Sequence, residues 1–413
     1  MRTIVFALID ASLAASAAST TTKVPAYVID YGKNEVLFPA DIGKQLLNTI
    51  PEVNFTKVGE KVHPLTLNNL NQLNKFGNAS VFLTAKEDVT DLAREPSWVH
   101  GVKPNAQGKT VGAVSCAIIL RSHPDNSSVV DAFYFYFLAF NNGGHVLGVP
   151  EDFHVGDWEN SVIRFVNGKP TEIFLSQHEQ GEAFKYDALQ KIGKRALLFS
   201  SFGSHAIYAT NGSHNIPFTL PPLPAVNLSS VTIPGLPAGA LNHLNLSSIL
   251  KAVLPKNLLQ DTTSLGTLWD PIANAYAYNY TFDFNPKRSA EENNQFTPLA
   301  TKNHAKPPVS WLTYFGQWGD QQYPLTDIRQ FAILNIPQLA YFEDGPNGLV
   351  FKNLVRSTVC PPKMINCTVK TSLKQANYYQ NPCLTETRRS ALHELYSLVS
   401  QSTSDGFLYS LST

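Results

Sequence analysis

The apolar positions of this chain gather in short runs, and most of those runs read as strands. "VGAVSCAIIL" (111–120), "DAFYFYFLAF" (131–140), "DWENSVIRFV" (157–166), "TEIFLSQ" (171–177) and "RALLFSSF" (195–202) are separated by Gly, Asn, Asp and Pro. "FVNGKPTEI" places Asn167-Gly168 between two of them, the pair a tight hairpin prefers because both residues tolerate positive φ. "AYAYNYTFDF" (275–284) alternates most cleanly. Tyr276, Tyr278, Tyr280, Phe282 and Phe284 share one face, while Ala275, Ala277, Asn279, Thr281 and Asp283 share the other. The aromatic face is expected to pack inward and the small, polar face to meet solvent. In "FYFYF" both faces are aromatic, which predicts a strand covered on both sides.

A spacing near 3.6 predicts helices in "FPADIGKQLLNTI" near residue 40, "TLNNLNQLNKF" near 70 and "RRSALHELYSLVS" (388–400). The stretch Ile216–Leu259 is rich in Pro and Leu and almost uncharged. It reads as a long excursion from the β core, with a lid, a lipid-facing flap and an ordered decoration all compatible with its composition. The expected fold class is all-β, a mainly antiparallel β-sandwich with short peripheral helices and this Pro/Leu-rich insertion (216–259). The sandwich domain is expected over 20–370 and a C-terminal helical extension over 371–413.

With 413 residues, 43% of them hydrophobic, the chain can bury a large core. Its 32 basic and 32 acidic side chains cancel, which removes the electrostatic footprint of a nucleic-acid partner. The start, "MRTIVFALIDASLAASAAST", has a basic Arg2, an apolar stretch from Ile4 and a cleavage-like Ala15-Ser16-Ala17, so 1–19 reads as a secretory signal, with Asp10 an interruption. No other stretch approaches the ~18 apolar residues of a transmembrane helix. Eight sequons, at Asn54, Asn78, Asn126, Asn211, Asn227, Asn245, Asn279 and Asn366, agree with a secreted or vacuolar glycoprotein. Four cysteines allow three pairings. The short Pro-containing loop "CPPKMINC" favours Cys360–Cys367, which leaves Cys116–Cys383, and no CxxC pair points to zinc.

One fragment combines these textures. "HVGDWENSVIRF" (154–165) begins with an imidazole and two carboxylates and ends as a core strand. In an extended strand Asp157 and Glu159 point the same way, about 6.6–6.8 Å apart, with Ser161 continuing that face. Such a pair repels itself unless a positive charge intervenes. A hard divalent cation, Ca²⁺ or Mg²⁺, takes oxygen ligands of this kind, and His154, three residues before Asp157, can curl over the same point. Asp152 is a further oxygen donor, Gly156 permits the turn, and Trp158 on the opposite face anchors the strand. The alternative is carboxylates paired to Lys or Arg. "FLSQHEQGEAF" adds Gln177 and His178, and "SSFGSHAIYA" adds Ser204 and His205, as binding candidates beside other strands. No Gly-x-Ser-x-Gly elbow, Walker loop, dinucleotide fingerprint or His-Glu-x-x-His motif occurs, so covalent catalysis has no specific support.

In combination, "PAYVIDYGKNEVLFPADIGKQLLNTIP", "HVGDWENSVIRFVNGKP", "FLSQHEQGEAF", "FGSHAIYA", "LGTLWDP", "WLTYFGQWGDQQYP" and "FEDGPNGLVFKNLVRSTVCPP" resemble the vacuolar protein sorting-associated protein 62 family, common in fungi. The family name implies a link to vacuolar delivery. A local resemblance is to the heptapeptide GHRHDWE of the necrosis- and ethylene-inducing-like proteins, which binds a divalent cation on a β-sandwich. His154, Asp157, Trp158 and Glu159 match its spacing, whereas Phe153 replaces the Gly and Val155-Gly156 replace Arg-His. "SQHEQG" is faintly similar to a Ser-Ala-His-Gly stretch in those proteins. Three functions follow as expectations. The first is a non-enzymatic binding protein whose metal-supported rim contacts a glycan, a lipid headgroup or a protein. The second is a metal-dependent hydrolase with His178 or His205 as general base. The third is a membrane-active secreted protein.

Overall fold

The computed structural model describes residues 27–91, 93–143, 145–146, 149–150, 152–178, 180–192, 195–216, 259–332, 340–364 and 367–376. The signal-like start, the helix expected over 388–400, nearly all of the insertion and Cys383 lie outside them. The strands of the two main sheets are β1 (Tyr27–Gly32), β2 (Cys116–His123), β3 (Asn126–Asn141), β4 (His154–Val166), β5 (Lys169–Gln177), β6 (Gln180–Lys185), β7 (Lys191–Ile192), β8 (Arg195–Ser200) and β9 (Ile207–Tyr208). A separate hairpin follows, β10 (Gly212–Ile216) with β11 (Leu259–Thr263). Then come β12 (Gly266–Trp269), β13 (Ala275–Phe282), β14 (Asn294–Leu299) and β15 (Val369–Lys370).

An eight-stranded sheet has the order β14-β13-β2-β3-β4-β5-β6-β15, and a five-stranded sheet the order β7-β8-β1-β12 with β9 on β8. The expected strands are all present. Pairing is antiparallel except for β2 with β13, β6 with β15 and β1 with β8. Asn167 and Gly168 hold φ of 50° and 73°, so the β4–β5 hairpin closes as its sequence predicts.

The two sheets face each other across one apolar layer. Ile29, Tyr31, Ala196, Leu198 and Trp269 from the small sheet meet Ile118, Tyr134, Tyr136, Leu138 and Ile163 from the large one. The other face of the large sheet, with Phe133, Phe135, Phe137 and Trp158, is covered by α1 (Ile42–Asn48), capped by Asp41, and by loops carrying Trp311, Tyr314 and Trp318. The aromatic strand β3 is therefore buried on both sides, as its sequence implies.

Three expectations are corrected. On β13 the small face is buried in its first half, where Ala275 and Ala277 sit in the layer between the sheets, and reaches solvent at Thr281 and Asp283, while Phe282 and Phe284 are exposed past the end of the cover. The segment near residue 70 forms 3₁₀ turns over Leu70–Phe76 rather than an α-helix. Its asparagines compete with helical bonding: Asn69 bonds Thr66 N and Pro64 O, and Asn74 bonds Thr313 O and Phe315 N. Strand pairing in "VGAVSCAIIL" starts only at Cys116.

Cys360 and Cys367 form a disulfide, and Cys116 is buried with no disulfide to a described residue. No helix among the described residues is long and apolar enough to cross a membrane.

Candidate functional site

The site is built where β4 begins. Gly156 holds φ +68°, and a Cβ there would stand 2.1 Å from the Trp318 carbonyl oxygen, so only glycine lets the strand start this close to the 318 loop. Trp158 then fixes the strand's orientation from its far side. Its ring centroid lies 4.7 Å from Phe137 and 5.4 Å from Trp318. By alternation Asp157, Glu159 and Ser161 turn toward the small sheet. Ser161 Oγ reaches Tyr136 OH at 2.5 Å, and the Tyr31 phenol, raised by burial, is raised further by the charges of Glu35, Asp157 and Glu159.

Asp157 and Glu159 are 6% and 8% exposed, and among the described residues neither forms an ion pair with Lys or Arg. Their repulsion is relieved in two other ways. Asp157 Oδ2 lies 2.9 Å from His205 Nδ1. A carboxylate can only accept, so His205 Nδ1 carries the proton of this bond. His205 Nε2 is buried and has no hydrogen-bond partner among the described residues. Glu159 accepts from Ser176 Oγ. Burial, followed by the charge of Asp157, pushes Glu159 up to about 8, against the Ser176 bond and the charges of His178 and Lys352. Glu159 thus keeps its proton to higher pH than a free carboxyl.

Beside this pair sits a second one. His178 Nε2 lies 2.8 Å from Asp261 Oδ2, and Asp261 also accepts from Ser204 Oγ at 2.7 Å and Tyr208 OH at 2.6 Å. Burial alone would lower His178, but the hydrogen bond and charge of Asp261, with Asp152 and Glu159, raise it to about 9. Burial alone would raise Asp261, but His178, Tyr208 and Ser204 bring it down to about 2. His178 is thus a fixed cation at neutral pH. Asp152 is raised by burial and by Asp157 and Asp261, while His154 and His178 oppose the rise.

The backbone is strained at the same place. Asp152, His178 and His205 hold φ of 62°, 54° and 58°. A non-glycine residue in this region costs on the order of 1–3 kcal/mol and persists only where its surroundings hold it.

The fold therefore gathers Asp152, His154, Asp157, Glu159, His178, Ser204 and His205 at one rim. Gln177 is also there, but its amide is spent on Glu182 at 3.1 Å and the Ile207 carbonyl at 3.1 Å. The three expected metal ligands are not preassembled. His154 Nδ1 donates to the Gly156 carbonyl at 2.7 Å, Asp157 faces His205 and Glu159 faces Ser176. Among the described residues no three His, Cys, Asp or Glu side chains converge as a closed ion site. The oxygen donors that the rim offers are the carboxylates of Asp152, Asp157 and Glu159. Sequence reading missed Asp261, Tyr208 and Ser176. Asp261 stands 83 positions from its partner His178, beyond the insertion, and no local pattern marks it.

Residues 149–216, which include β4 and the His178 and His205 turns, match the family model described as "Vacuolar protein sorting-associated protein 62". In Saccharomyces cerevisiae, the "Putative vacuolar protein sorting-associated protein TDA6" is 30% identical over 380 residues, covering 83% of this chain and 69% of that protein. The yeast "Vacuolar protein sorting-associated protein 62" is 29% identical over 371 residues, covering 82% and 68%. Among solved structures, "NLPPya in complex with glucosamine" is similar over 27% of this chain and 60% of its own, at 16% identity and a TM-score of 0.19. "NLPPya in complex with mannosamine" is similar over 45% and 64%, at 13% identity and a TM-score of 0.23. By the identity and coverage of its yeast relatives, the chain belongs to the vacuolar protein sorting-associated protein 62 family.

Proposed function

We propose that this chain is a non-enzymatic binding protein of the vacuolar or secretory route, which holds Ca²⁺ or Mg²⁺ at its β4 carboxylates and through it contacts a glycan or lipid headgroup. Membership of the family supports the vacuolar part of this reading. One observation carries the site: Asp157, Glu159 and Asp261 are buried, with half-buried Asp152 beside them, against the charged His178, and Glu159 is raised to about 8. Buried carboxylates are costly without compensation. Asp157 and Glu159 would supply hard oxygen ligands, with Asp152 or His154 Nε2 beside them. A bound cation would take the place of the Glu159 proton and present a charge to hydroxyl or phosphate oxygens. Elemental analysis of the purified protein, with a glycan and lipid-headgroup binding screen, tests this. Metal and ligand binding should both vanish in the Asp157→Asn, Glu159→Gln double variant; ligand binding that survives chelation and both substitutions would sink the reading.

The Asp157–His205 pair favours a second reading, the metal-dependent hydrolase. An imidazole oriented by a buried carboxylate, with its second nitrogen unpartnered, is equipped to accept a proton. Of the two candidate bases His178 is the less suited, because its bond to Asp261 and that charge raise it to about 9.

A further inference from the structure

A groove of 1050 Å³ lies on the surface around the 3₁₀ turns Leu70–Phe76 and Asn78–Ser80, and shares no residue with the carboxylate site. Its volume lies just above the roughly 300–1,000 Å³ of small-ligand sites. The wall combines partly exposed rings with amides, and Lys75 Nζ stands over one face of Phe76, 5.1 Å from its centroid. Phe76 and Phe351 are 37% and 44% exposed, Phe315 meets Phe351 edge-on at 5.9 Å, and Asn71 and Gln72 stand beside them. Aromatic faces carry negative charge that attracts polarised C–H groups, while amides both donate and accept. That combination fits a pyranose, which has an apolar face and a hydroxyl rim.

The groove also contains its own attachment point. Asn78, exposed on the lining, opens the sequon Asn78-Ala79-Ser80, with Phe76 two residues upstream. Gly77 and Ala79 place no bulky side chain between ring and acceptor. We infer that Asn78 carries an N-linked glycan whose first sugars lie in this groove against Phe76 and Phe351, so that the chain's own glycan covers these rings. In the transfer, Asn78 Nδ2 bonds the anomeric carbon of a lipid-pyrophosphate oligosaccharide, the amide loses one proton and the lipid pyrophosphate leaves. This inference rests on the secretory route proposed above.

The full chain is expressed in a yeast host twice, behind its own first residues and behind a host leader, and glycopeptides are mapped. Asn78 should be occupied. The glycosylated parent should melt higher than Ser80→Ala, which lacks the sequon but keeps Asn78, and this difference should shrink on the Phe76→Ala background. Glycan only behind the host leader would contradict the routing and still support the groove. Two results overturn the inference: Asn78 bare behind the host leader, or a melting difference that is the same with and without Phe76.

Discussion

His205 Nδ1 stands 2.9 Å from Asp157 Oδ2, with the imidazole fully buried and its Nε2 without a partner among the described residues. This contact joins the turn between β8 and β9 to the first residues of β4, and so links the small sheet to the large one at the rim. His205→Ala leaves a buried carboxylate without its donor, which should cost about 1–3 kcal/mol in urea unfolding. Combined with Asp157→Asn, a double-mutant cycle should return a coupling of about 0.5–3 kcal/mol. Strict additivity would show that the contact contributes nothing.

The buried titrating groups give stability a defined pH slope. His178 is raised to about 9 from 6.5, so its contribution is complete below pH 6.5 and is lost as pH rises through 9. Glu159, raised to about 8 from 4.5, also weakens the fold progressively as pH climbs from 4.5 to 8. Asp261, lowered to about 2 from 3.8, is stabilising above 3.8 and loses that contribution as pH falls through 2. Maximum stability is expected between roughly pH 4 and 5, with urea midpoints declining toward pH 9. In His178→Asn the decline between 6.5 and 9 should flatten; a parent midpoint that rises over that interval would refute the assignment.

Gly156 should tolerate no side chain. Gly156→Ala combines a left-handed backbone, worth roughly 1–2 kcal/mol, with a collision against the Trp318 carbonyl. A loss of about 2–5 kcal/mol is expected by denaturant titration, placing the variant among the severe core lesions. A loss within ~0.5 kcal/mol, the usual range of a surface substitution, would mean that the strand begins elsewhere.

The insertion should be removable. Ile216 and Leu259 are register partners at the open end of the β10–β11 hairpin, so residues 217–258 leave and return at adjacent points. Replacing them by Asn-Gly closes the ladder with a two-residue turn. The shortened protein should stay folded, keep the His178–Asp261 pair and retain its pH slope. Insolubility of this variant beside a soluble parent would assign the segment to the core.

Much of this was legible in the chain, for identifiable reasons. The β4–β5 hairpin could be read because Asn167-Gly168 encodes its turn locally, and Trp158 opposite Asp157 and Glu159 follows from the two-residue period of a strand. The same period placed the two carboxylates on one face. It did not reveal how their repulsion is relieved, because His205 comes from a turn 48 positions away and Ser176 from the neighbouring strand. Asp261 was invisible for the same reason, since its role arises only when the β10–β11 hairpin folds back on the His178 and Ser204 turns. The parallel pairing of β1 with β8 is equally non-local. On β13 the solvent-facing reading holds at Thr281 and Asp283 and fails at Ala275 and Ala277, because alanine there allows two sheets to approach.

The central claim is that the Asp157–Glu159 face takes a divalent cation, and the melting temperature after chelation tests it most directly. Binding to the folded state alone stabilises by about 2.7 kcal/mol at ~100 times the dissociation constant. Chelator-treated protein should therefore melt lower at pH 7 than protein returned to Ca²⁺ or Mg²⁺. The Asp157→Asn, Glu159→Gln variant should be folded and insensitive to both treatments, since the amides keep the shape and remove the charge. A parent protein whose melting temperature is indifferent to chelator and to either cation would contradict the account.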